Sequence, residues 1–174
     1  MSSEKRRAEL AEVLRECGHA VTGTQLSERF GVTRQVIVAD IALLRAAGEG
    51  IIATPQGYLY APAVSQRLVR QTVASRHSAA PERIREELNL VVDQGGVVRD
   101  VIIEHPLYGE ITGSLHICSR YDVDAFIDKL KATHAEPLSI LTGGMHLHTI
   151  EAKDGDTLRR IAKELHDRGF LQLE

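Results

Sequence analysis

Two histidines lie one residue apart in the segment GGMHLHTIEA, residues 143–152. The segment has the composition of a β-strand, in which successive side chains point to opposite faces. His146 and His148 are therefore predicted to share one face, with Leu147 and Thr149 on the other. Two imidazoles on one face are half of a typical transition-metal site, but such pairs also occur without a metal. The spacing alone leaves both interpretations open.

Further candidate ligands come from other parts of the chain. His77 follows a predicted strand over 67–76, and Glu87 lies on a predicted helix that begins at Pro81. Helical spacing places Glu87 at the edge of the buried apolar stripe, whereas Glu86 points more toward solvent. One carboxylate and three imidazoles could surround a divalent cation, and these ligands suit zinc, nickel, iron, manganese or copper. No complete ligand signature such as HExxH is present.

Catalytic chemistry has less support in the sequence. It contains no GxSxG elbow, no Walker loop and no GxGxxG motif. His116 and Cys118 would share a strand face, and we interpret them as a buried structural pair rather than a base and a nucleophile. His105 precedes Pro106 in EHPLYG and is expected to orient that turn. We therefore predict a binding protein and not an enzyme.

Composition limits the class of protein. The chain of 174 residues has 26% charged and 43% hydrophobic residues, which is typical of a folded globular protein. Its two cysteines are isolated, no apolar run is long enough to span a membrane, and the N-terminus lacks a signal peptide, so we expect a cytoplasmic location. The net charge is −3, and residues 1–62 hold seven basic and seven acidic residues. Any nucleic-acid binding must therefore depend on a local motif.

The first 62 residues have the pattern of a winged helix-turn-helix domain. A helix over 4–17 ends at Gly18, and a short second helix, capped by Thr22 or Thr24, ends at Gly31. A third helix capped by Thr33 follows, and then two short strand patterns flank a turn at 54–57. Three helices followed by a hairpin predict a winged helix, although a generic three-helix bundle with a hairpin has the same pattern.

The third helix carries the candidate DNA-binding residues. Arg34 and Gln35 occupy its first exposed turn, and these side chains recognise guanine and adenine edges in the major groove. Thr33 could bind a phosphate as well as cap the helix. Arg45 is a candidate for contact with the DNA backbone. Arg6, Arg7 and Arg15 are further candidates, though scattered helix arginines are more often simply solvated.

The pattern changes after a predicted linker at 60–67. Residues 66–174 alternate as strand–helix–strand–strand–helix–strand–helix–strand, which predicts an α+β domain, an α/β sandwich with helices on one face of the sheet. The predicted strands cover 67–76, 97–104, 111–117, 145–151 and the terminal FLQLE. The predicted helices begin at Pro81, at a cap provided by Asp122, and at 155.

The sequence also resembles a known family. The segments TGTQLSERFGVTRQVIVADIALLRAAG and GIIATPQGYLY are similar to the winged helix of biotin-repressor-type regulators. The segments EELNLVVDQGG, DVIIEHPLYGEI, EPLSILTGGMHLHTIEA and LRRIAKELHDRGFL, with RH at 76–77, are similar to the 3H domain, which is named for its histidines. The combination covers essentially the whole chain and resembles the niacin-responsive repressors of Gram-positive and related bacteria.

The resemblance implies a dimeric repressor of NAD biosynthesis or niacin uptake genes, with nicotinic acid as co-repressor. Ligand binding would favour a dimer whose two recognition helices match DNA half-sites about one turn apart. The implied cofactor is one divalent transition metal per chain, with nickel or zinc as first candidates. The family's metal ligands fall on His77, Glu87, His146 and His148. The loop HSAAPERIREEL departs from the family pattern and leaves Glu86 as the alternative carboxylate.

The ligand contacts are expected to come from His105, Tyr108, Thr142 and the amides of Gly143 and Gly144. Two other functions remain open at this point. One is a repressor that senses the metal itself. The other is a metal-dependent enzyme that acts on a pyridine carboxylate and carries a regulatory winged helix.

Overall fold

The structure, a computed structural model, describes residues 2–61 and 68–171. These residues form two compact units, one on each side of the segment 62–67. The predicted linker at 60–67 therefore lies mostly outside the described residues. Among the residues described, no helix combines the length and the apolar character that crossing a membrane requires.

The first unit contains three helices and a two-stranded antiparallel hairpin: α1 (Ser3–Cys17), α2 (Gly23–Phe30), α3 (Arg34–Ala46), β1 (Ile51–Thr54) and β2 (Gly57–Tyr60). Of the two candidate caps for α2, the structure uses Thr22, which forms a capping box with Gln25. Thr33 caps α3 as predicted. Gly18 and Gly31 end the first two helices in the left-handed conformation.

The hairpin is tied to the helices by backbone contacts. Val21 and Tyr58 exchange two hydrogen bonds of 2.8 Å. Gly57 has a φ of 133°, and a Cβ at this position would lie 2.5 Å from the Val21 carbonyl oxygen. Only glycine fits there, because both the conformation and the space exclude a side chain. The core of the unit is aliphatic, with Leu10, Leu14, Leu26, Ile37 and Ile41 fully buried.

Three arginines of this unit form ion pairs within it. The guanidinium of Arg6 donates to the buried Asp40 carboxylate at 2.6 Å, and Arg7 lies 3.6 Å from the same carboxylate. Arg15 donates to Glu49, which is also bonded by Tyr60. These arginines therefore join α1 to α3 and to the hairpin. The sequence had made them candidates for contact with the DNA backbone.

The second unit contains one four-stranded sheet and three α-helices: β3 (Val69–Arg76), α4 (Pro81–Val92), β4 (Val97–His105), β5 (Gly109–Ile117), α5 (Arg120–Thr133), β6 (Met145–Ala152) and α6 (Gly155–Asp167). The strand order is β3-β6-β4-β5 and all pairs are antiparallel. With the helix-turn-helix unit before it, this arrangement confirms the predicted α+β class.

Two details differ from the expectation. The sequence pattern missed a 3₁₀ helix over Leu138–Thr142. Ser119 caps α5 in place of Asp122, whose carboxylate instead accepts hydrogen bonds from the Ser119 hydroxyl and the Cys118 amide. Of the predicted final strand, only residues 170–171 are described; Leu171 forms an antiparallel bridge with Ser75, and 172–174 lie outside the described residues.

The helices and the inward-facing strand residues share one core. Register places Val73 opposite His148, and Val98 opposite both Ile150 and Ile117, so these side chains lie on the same face of the sheet. All the apolar members of this set are buried against residues of α4, α5 and α6, among them Leu88, Ile127, Ile161 and Leu165. The helices therefore cover one face of the sheet, as predicted.

The expected buried pair of His116 and Cys118 is wrong. His116 lies beside a bulge in the β4–β5 pairing and has a positive φ of 50°, which breaks the strand alternation assumed for it. Cys118 lies beyond the end of β5, is exposed and donates from Sγ to Asp122. Although the residue is exposed overall, partial desolvation of its sulfur and the Asp122 carboxylate raise the pKa of the Cys118 thiol to about 11, which disfavours a nucleophilic thiolate.

Candidate metal centre

Four side chains from three elements meet in the second unit, and we call them the His–Glu cluster: His77, Glu87, His146 and His148. His77 directly follows β3, Glu87 lies on the sheet-facing side of α4, and the other two lie on β6. Their side chains are each no more than 6% exposed. The Nε2 atoms of the three histidines lie 2.7, 3.3 and 3.4 Å from Glu87 Oε2, in chain order.

The second nitrogen of each ring is bonded to a backbone carbonyl. The Nδ1 atoms of His77, His146 and His148 lie 2.8, 2.9 and 2.6 Å from the carbonyl oxygens of Ser78, Gly144 and Asp100, respectively. A carbonyl oxygen only accepts, so each Nδ1 must carry a proton and donate it. In the neutral imidazole this leaves an unprotonated Nε2 that faces Glu87. This is the arrangement in which carbonyl groups orient metal-binding histidines.

The cluster needs positive charge at its centre, because three lone pairs and a carboxylate converge there. Burial alone would raise the pKa of Glu87, but the three histidines hold it well below its ordinary value. Burial would also lower the pKa values of His77 and His148, but interaction with Glu87 more than offsets this and raises both. Protons on the imidazoles or a divalent cation can supply the required charge.

The second oxygen of the Glu87 carboxylate also bears on whether a metal fits the cluster. This oxygen, Oε1, is buried and has no hydrogen-bond partner among the described residues. An unsatisfied buried carboxylate oxygen is costly, and a metal ion would satisfy it. Ligand atoms of His77, Glu87 and His146 all lie within 4.8 Å of one another. The residues present therefore fit a divalent transition metal with nitrogen and oxygen ligands.

A cavity of about 260 Å³ adjoins the His–Glu cluster, whose four side chains form one wall. The other walls are mainly apolar and include Leu88, Val101, Leu115, Phe126, Leu130 and Leu138. No lysine or arginine is among the described residues that line it. The cavity suits a small molecule with an apolar body and a polar group that faces the cluster.

Comparison with known proteins agrees with this architecture. The HTH domain matches residues 6–59 and the 3H domain matches residues 70–174. Over 168 residues the chain is 46% identical to the probable transcription repressor NiaR of Thermotoga maritima, an alignment that covers 97% of the chain and 94% of the relative. The chain belongs to the niacin-responsive repressor family. It is also 43% identical over 168 residues to the transcription repressor NadR of Bacillus subtilis. This alignment covers 95% of the chain and 92% of the relative.

The residues expected from the sequence to contact the small molecule do not line this cavity. His105 and Tyr108 lie at the β4–β5 turn, where His105 Nδ1 accepts hydrogen bonds from the Leu107 and Tyr108 amides. His105 thus orients the turn, as its position beside a proline indicated. The Tyr108 ring stacks on the His105 ring. Neither residue lines the cavity beside the His–Glu cluster.

The polar groups of the segment before β6 also form hydrogen bonds within the protein. The Thr142 hydroxyl donates to the carbonyls of Ser139 and Met145. The amides of Gly143 and Gly144 donate to Ile140 and Ser139, so these groups are already satisfied and do not offer free donors to a ligand.

Gly144 instead supports the His–Glu cluster. Its φ is 93°, and a Cβ on this residue would lie 2.2 Å from the His77 carbonyl oxygen. Its own carbonyl accepts the hydrogen bond from His146 Nδ1. The backbone of one glycine therefore contacts the segments that carry two histidines of the cluster.

Sequence reasoning missed several supporting residues. The Phe170 ring packs edge-on against His77 with centroids 5.3 Å apart, and the Arg83 guanidinium covers Phe170 at 4.1 Å. Asp100 binds His148 through its carbonyl, and its carboxylate accepts from the Thr149 amide. No spacing rule connects these residues to the histidines. The one available signal was the aromatic side chain of Phe170 at the start of the predicted terminal strand.

The predicted DNA-binding residues lie on α3 or at its N-terminal cap, and all are exposed: Thr33, Arg34, Gln35 and Arg45. The Thr33 hydroxyl accepts from the Val36 amide as a cap. The Arg34 side chain extends along the start of α2, where a Cβ on Gly23 would lie 3.2 Å from its Nε. The first turn of α3 and the start of α2 thus present one surface.

Proposed function

We propose that this chain is a DNA-binding transcription repressor whose 3H domain holds a divalent metal and nicotinic acid as co-repressor. The observation that carries the proposal is the convergence of three imidazole Nε2 atoms and a buried carboxylate beside an apolar cavity. The repressor names of two relatives support the regulatory role. The regulated genes would be those of NAD biosynthesis or niacin uptake.

His77, Glu87, His146 and His148 would hold the metal, with nickel or zinc as the first candidates. Glu87 is preferred over Glu86 because Glu86 is half-buried and pairs with Arg83 at 2.6 Å, away from the histidines. When bound, the ion would supply positive charge in a buried site and so attract an anionic or lone-pair group. The carbonyls that bind Nδ1 would hold the imidazoles in the protonation state that ligation needs.

Nicotinic acid would occupy the cavity with its pyridine ring against the apolar walls. Its carboxylate would face the His–Glu cluster, because the described lining residues include no lysine or arginine to neutralise it. The contacts expected from the sequence, with His105, Tyr108, Thr142 and Gly144, would lie outside this cavity and remain a separate prediction. The placement in the cavity predicts that neutral nicotinamide binds more weakly than nicotinate and that nicotinate binding requires the metal.

DNA would be bound by the first unit, with α3 as the recognition helix. Its N-terminus carries Thr33, Arg34 and Gln35, which suit phosphate and base-edge contacts. Arg45, in the last turn of α3, would contact the backbone. A homodimer would present two such helices to half-sites about one DNA turn apart, and nicotinate would favour the DNA-binding state of the dimer.

A titration of DNA binding tests the proposal. Promoter fragments from niacin-uptake and NAD-biosynthesis genes would be titrated with the full chain in four conditions: metal-loaded or chelated, each with and without nicotinate. We expect at least about tenfold tighter binding only when metal and nicotinate are both present, which is within the usual range of coupling between sites. Affinity that ignores nicotinate would contradict the co-repressor role.

A matched pair of histidine variants sharpens this test. His148→Ala should lose metal and the response to nicotinate, while the N-terminal unit stays folded. His166→Ala is the control, because His166 is an exposed residue of α6 outside the His–Glu cluster. Equal loss in both variants would show that the effect does not come from the cluster.

The second candidate is a repressor that senses the metal alone, and the same buried cluster favours it. A metal sensor would lose DNA affinity with chelator and show no response to nicotinate in the same titration. We also propose that the chain has no catalytic activity. Incubation of the metal-loaded protein with nicotinate should leave the compound unchanged, and any product would support the enzyme alternative.

A further inference from the structure

The exposed face of α3 carries an apolar side chain next to the predicted base-contacting residues. Val38 is 44% exposed, although other apolar residues of α3 such as Ile37 and Ile41 are buried. With about 100° between successive residues, Val38 lies about 40° around the helix axis from Arg34. Val38 therefore shares the flank of the helix that holds Arg34 and Gln35.

The surroundings of Val38 leave it open to a partner. Ala39 and Ala42 are also exposed, so short side chains surround it on the outer surface of the helix. Asp40 and Ile41 point into the unit. A β-branched residue has lower helix propensity than alanine, and on a solvated surface it gains nothing from burial. Because these exposed side chains between Arg34 and Arg45 are short and apolar, this part of α3 can approach the floor of the major groove closely.

The chemistry of the major groove offers one apolar group, the C5-methyl group of thymine. We propose that Val38 contacts a thymine methyl in each operator half-site, adjacent to the base pairs contacted by Arg34 and Gln35. This inference rests on the proposed DNA binding. It assigns to the operator an A·T pair that is recognised through its methyl group and not through hydrogen bonds.

Replacing thymine by deoxyuridine removes that methyl group and leaves every hydrogen-bonding atom of the base pair in place. A preferred duplex would first be selected from a randomised pool with the full metal-loaded chain and nicotinate. Each thymine would then be replaced singly by deoxyuridine. One replacement per half-site should weaken binding about fourfold, the value of one buried methyl-sized group.

Two variants assign the effect to a residue. Val38→Ala should bind the thymine duplex less tightly and should no longer distinguish thymine from uracil at that position. Leu43→Ala is the matched control, because Leu43 is a 54% exposed apolar residue of α3 that lies about 140° away from Val38 around the helix. This control should keep the full ratio of thymine to uracil affinity. Both variants shorten exposed side chains, and thermal melts would check that they fold.

Three outcomes would overturn the inference. Equal binding of the thymine and uracil duplexes at every position would show that no methyl group is recognised. A Val38→Ala protein that keeps the full ratio would show that another residue contacts the methyl. Failure to enrich any sequence would refute the proposed operator binding, and with it the role of Val38, whereas the first two outcomes would leave operator binding intact.

Discussion

Each imidazole of the His–Glu cluster is held at Nδ1 by a carbonyl of the surrounding backbone, so the site is oriented before any ion arrives. Two of these carbonyls belong to residues within two positions of the histidine they bind, and the third belongs to Asp100 on the adjacent strand. A ligand set that is already oriented loses little conformational entropy on binding. At this scale the proposed metal binding would depend on the acceptors around the histidines as much as on the histidines.

Glu87→Gln should abolish tight metal binding. The amide keeps the size of the side chain but removes the negative charge, and loss of a direct ligand should cost at least the 10–100-fold typical of losing a supporting residue. Isothermal titration with nickel and zinc would measure this. Glu86→Gln is the matched control, because Glu86 pairs with Arg83 on the outer side of α4. A similar loss in the control would argue against Glu87 as the ligand.

The metal-free protein should become less stable as the pH rises. The pKa values of His77 and His148 are raised by Glu87, so their protonation stabilises the fold below their ordinary value of 6.5. That contribution is lost as the pH rises through the raised values. Thermal melts in chelator from about pH 6 to about pH 9 should show falling midpoints.

Two controls should show the opposite pH dependence. Saturating metal should stabilise the protein more at higher pH, because protons compete with the ion for Nε2. In metal-free Glu87→Gln the charge that raises the histidine pKa values is gone, and burial lowers them, so the midpoint should rise with pH. A falling midpoint in that variant would show that the titration arises outside the cluster.

At the scale of elements, the turn into β6 determines whether the histidines can meet. Gly143 ends the 3₁₀ helix with a φ of 60° and has open space where a side chain would go, whereas Gly144 lies against His77. The two glycines are adjacent and alike in sequence, but they face different constraints. They form a natural pair for substitution.

Gly144→Ala should destabilise the 3H domain by about 3 kcal/mol or more, since strain at a positive φ is added to overlap with a carbonyl group that cannot move freely. Gly143→Ala should cost about 1 kcal/mol from its left-handed conformation alone. Urea unfolding would measure both, and metal titration should show loss only in Gly144→Ala. Equal costs would mean that the close approach to His77 does not constrain the turn.

Sequence periodicity predicted much of the arrangement of the His–Glu cluster, but it did not predict the rest. Strand alternation placed His146 and His148 on one face, and helical phase directed Glu87 toward the sheet. The Nδ1 acceptors, the 3₁₀ helix and Phe170 were not predictable, because they depend on contacts between segments that no local pattern connects. The expected ligand contacts at the β4–β5 turn were chosen as polar groups near the metal without knowledge of the tertiary geometry, and the structure places these residues outside the cavity wall.

At the scale of the whole molecule, charge does not favour nucleic acid. The net charge is −3, and three of the arginines in the first unit are paired with its own carboxylates. DNA affinity must then come from a few exposed groups on a chain that otherwise repels phosphate. The salt dependence of binding should therefore report a small number of identifiable contacts.

Arg45→Ala should reduce the slope of log affinity against log salt concentration by about 1, the value of one phosphate contact. The loss of affinity should be uniform across DNA sequences, because the contact carries no base information. Arg159→Ala is the control, since it removes the same charge from an exposed position on α6. A slope that changes equally in both variants would attribute the effect to net charge alone.

The His–Glu cluster and the Phe170 ring that packs on His77 come from distant parts of the chain, so they are synthesised at different times. A ribosome completes the helices and hairpin of the first unit before it has synthesised any part of the His–Glu cluster. His77 and Glu87 emerge early in the second unit, but β6 and Phe170 come near its end. Until they appear, the Glu87 carboxylate lacks two of its three imidazole partners. We therefore expect an interval in which the nascent 3H domain is open to chaperones and proteases, and the proposed metal would find its full set of ligands only after that interval.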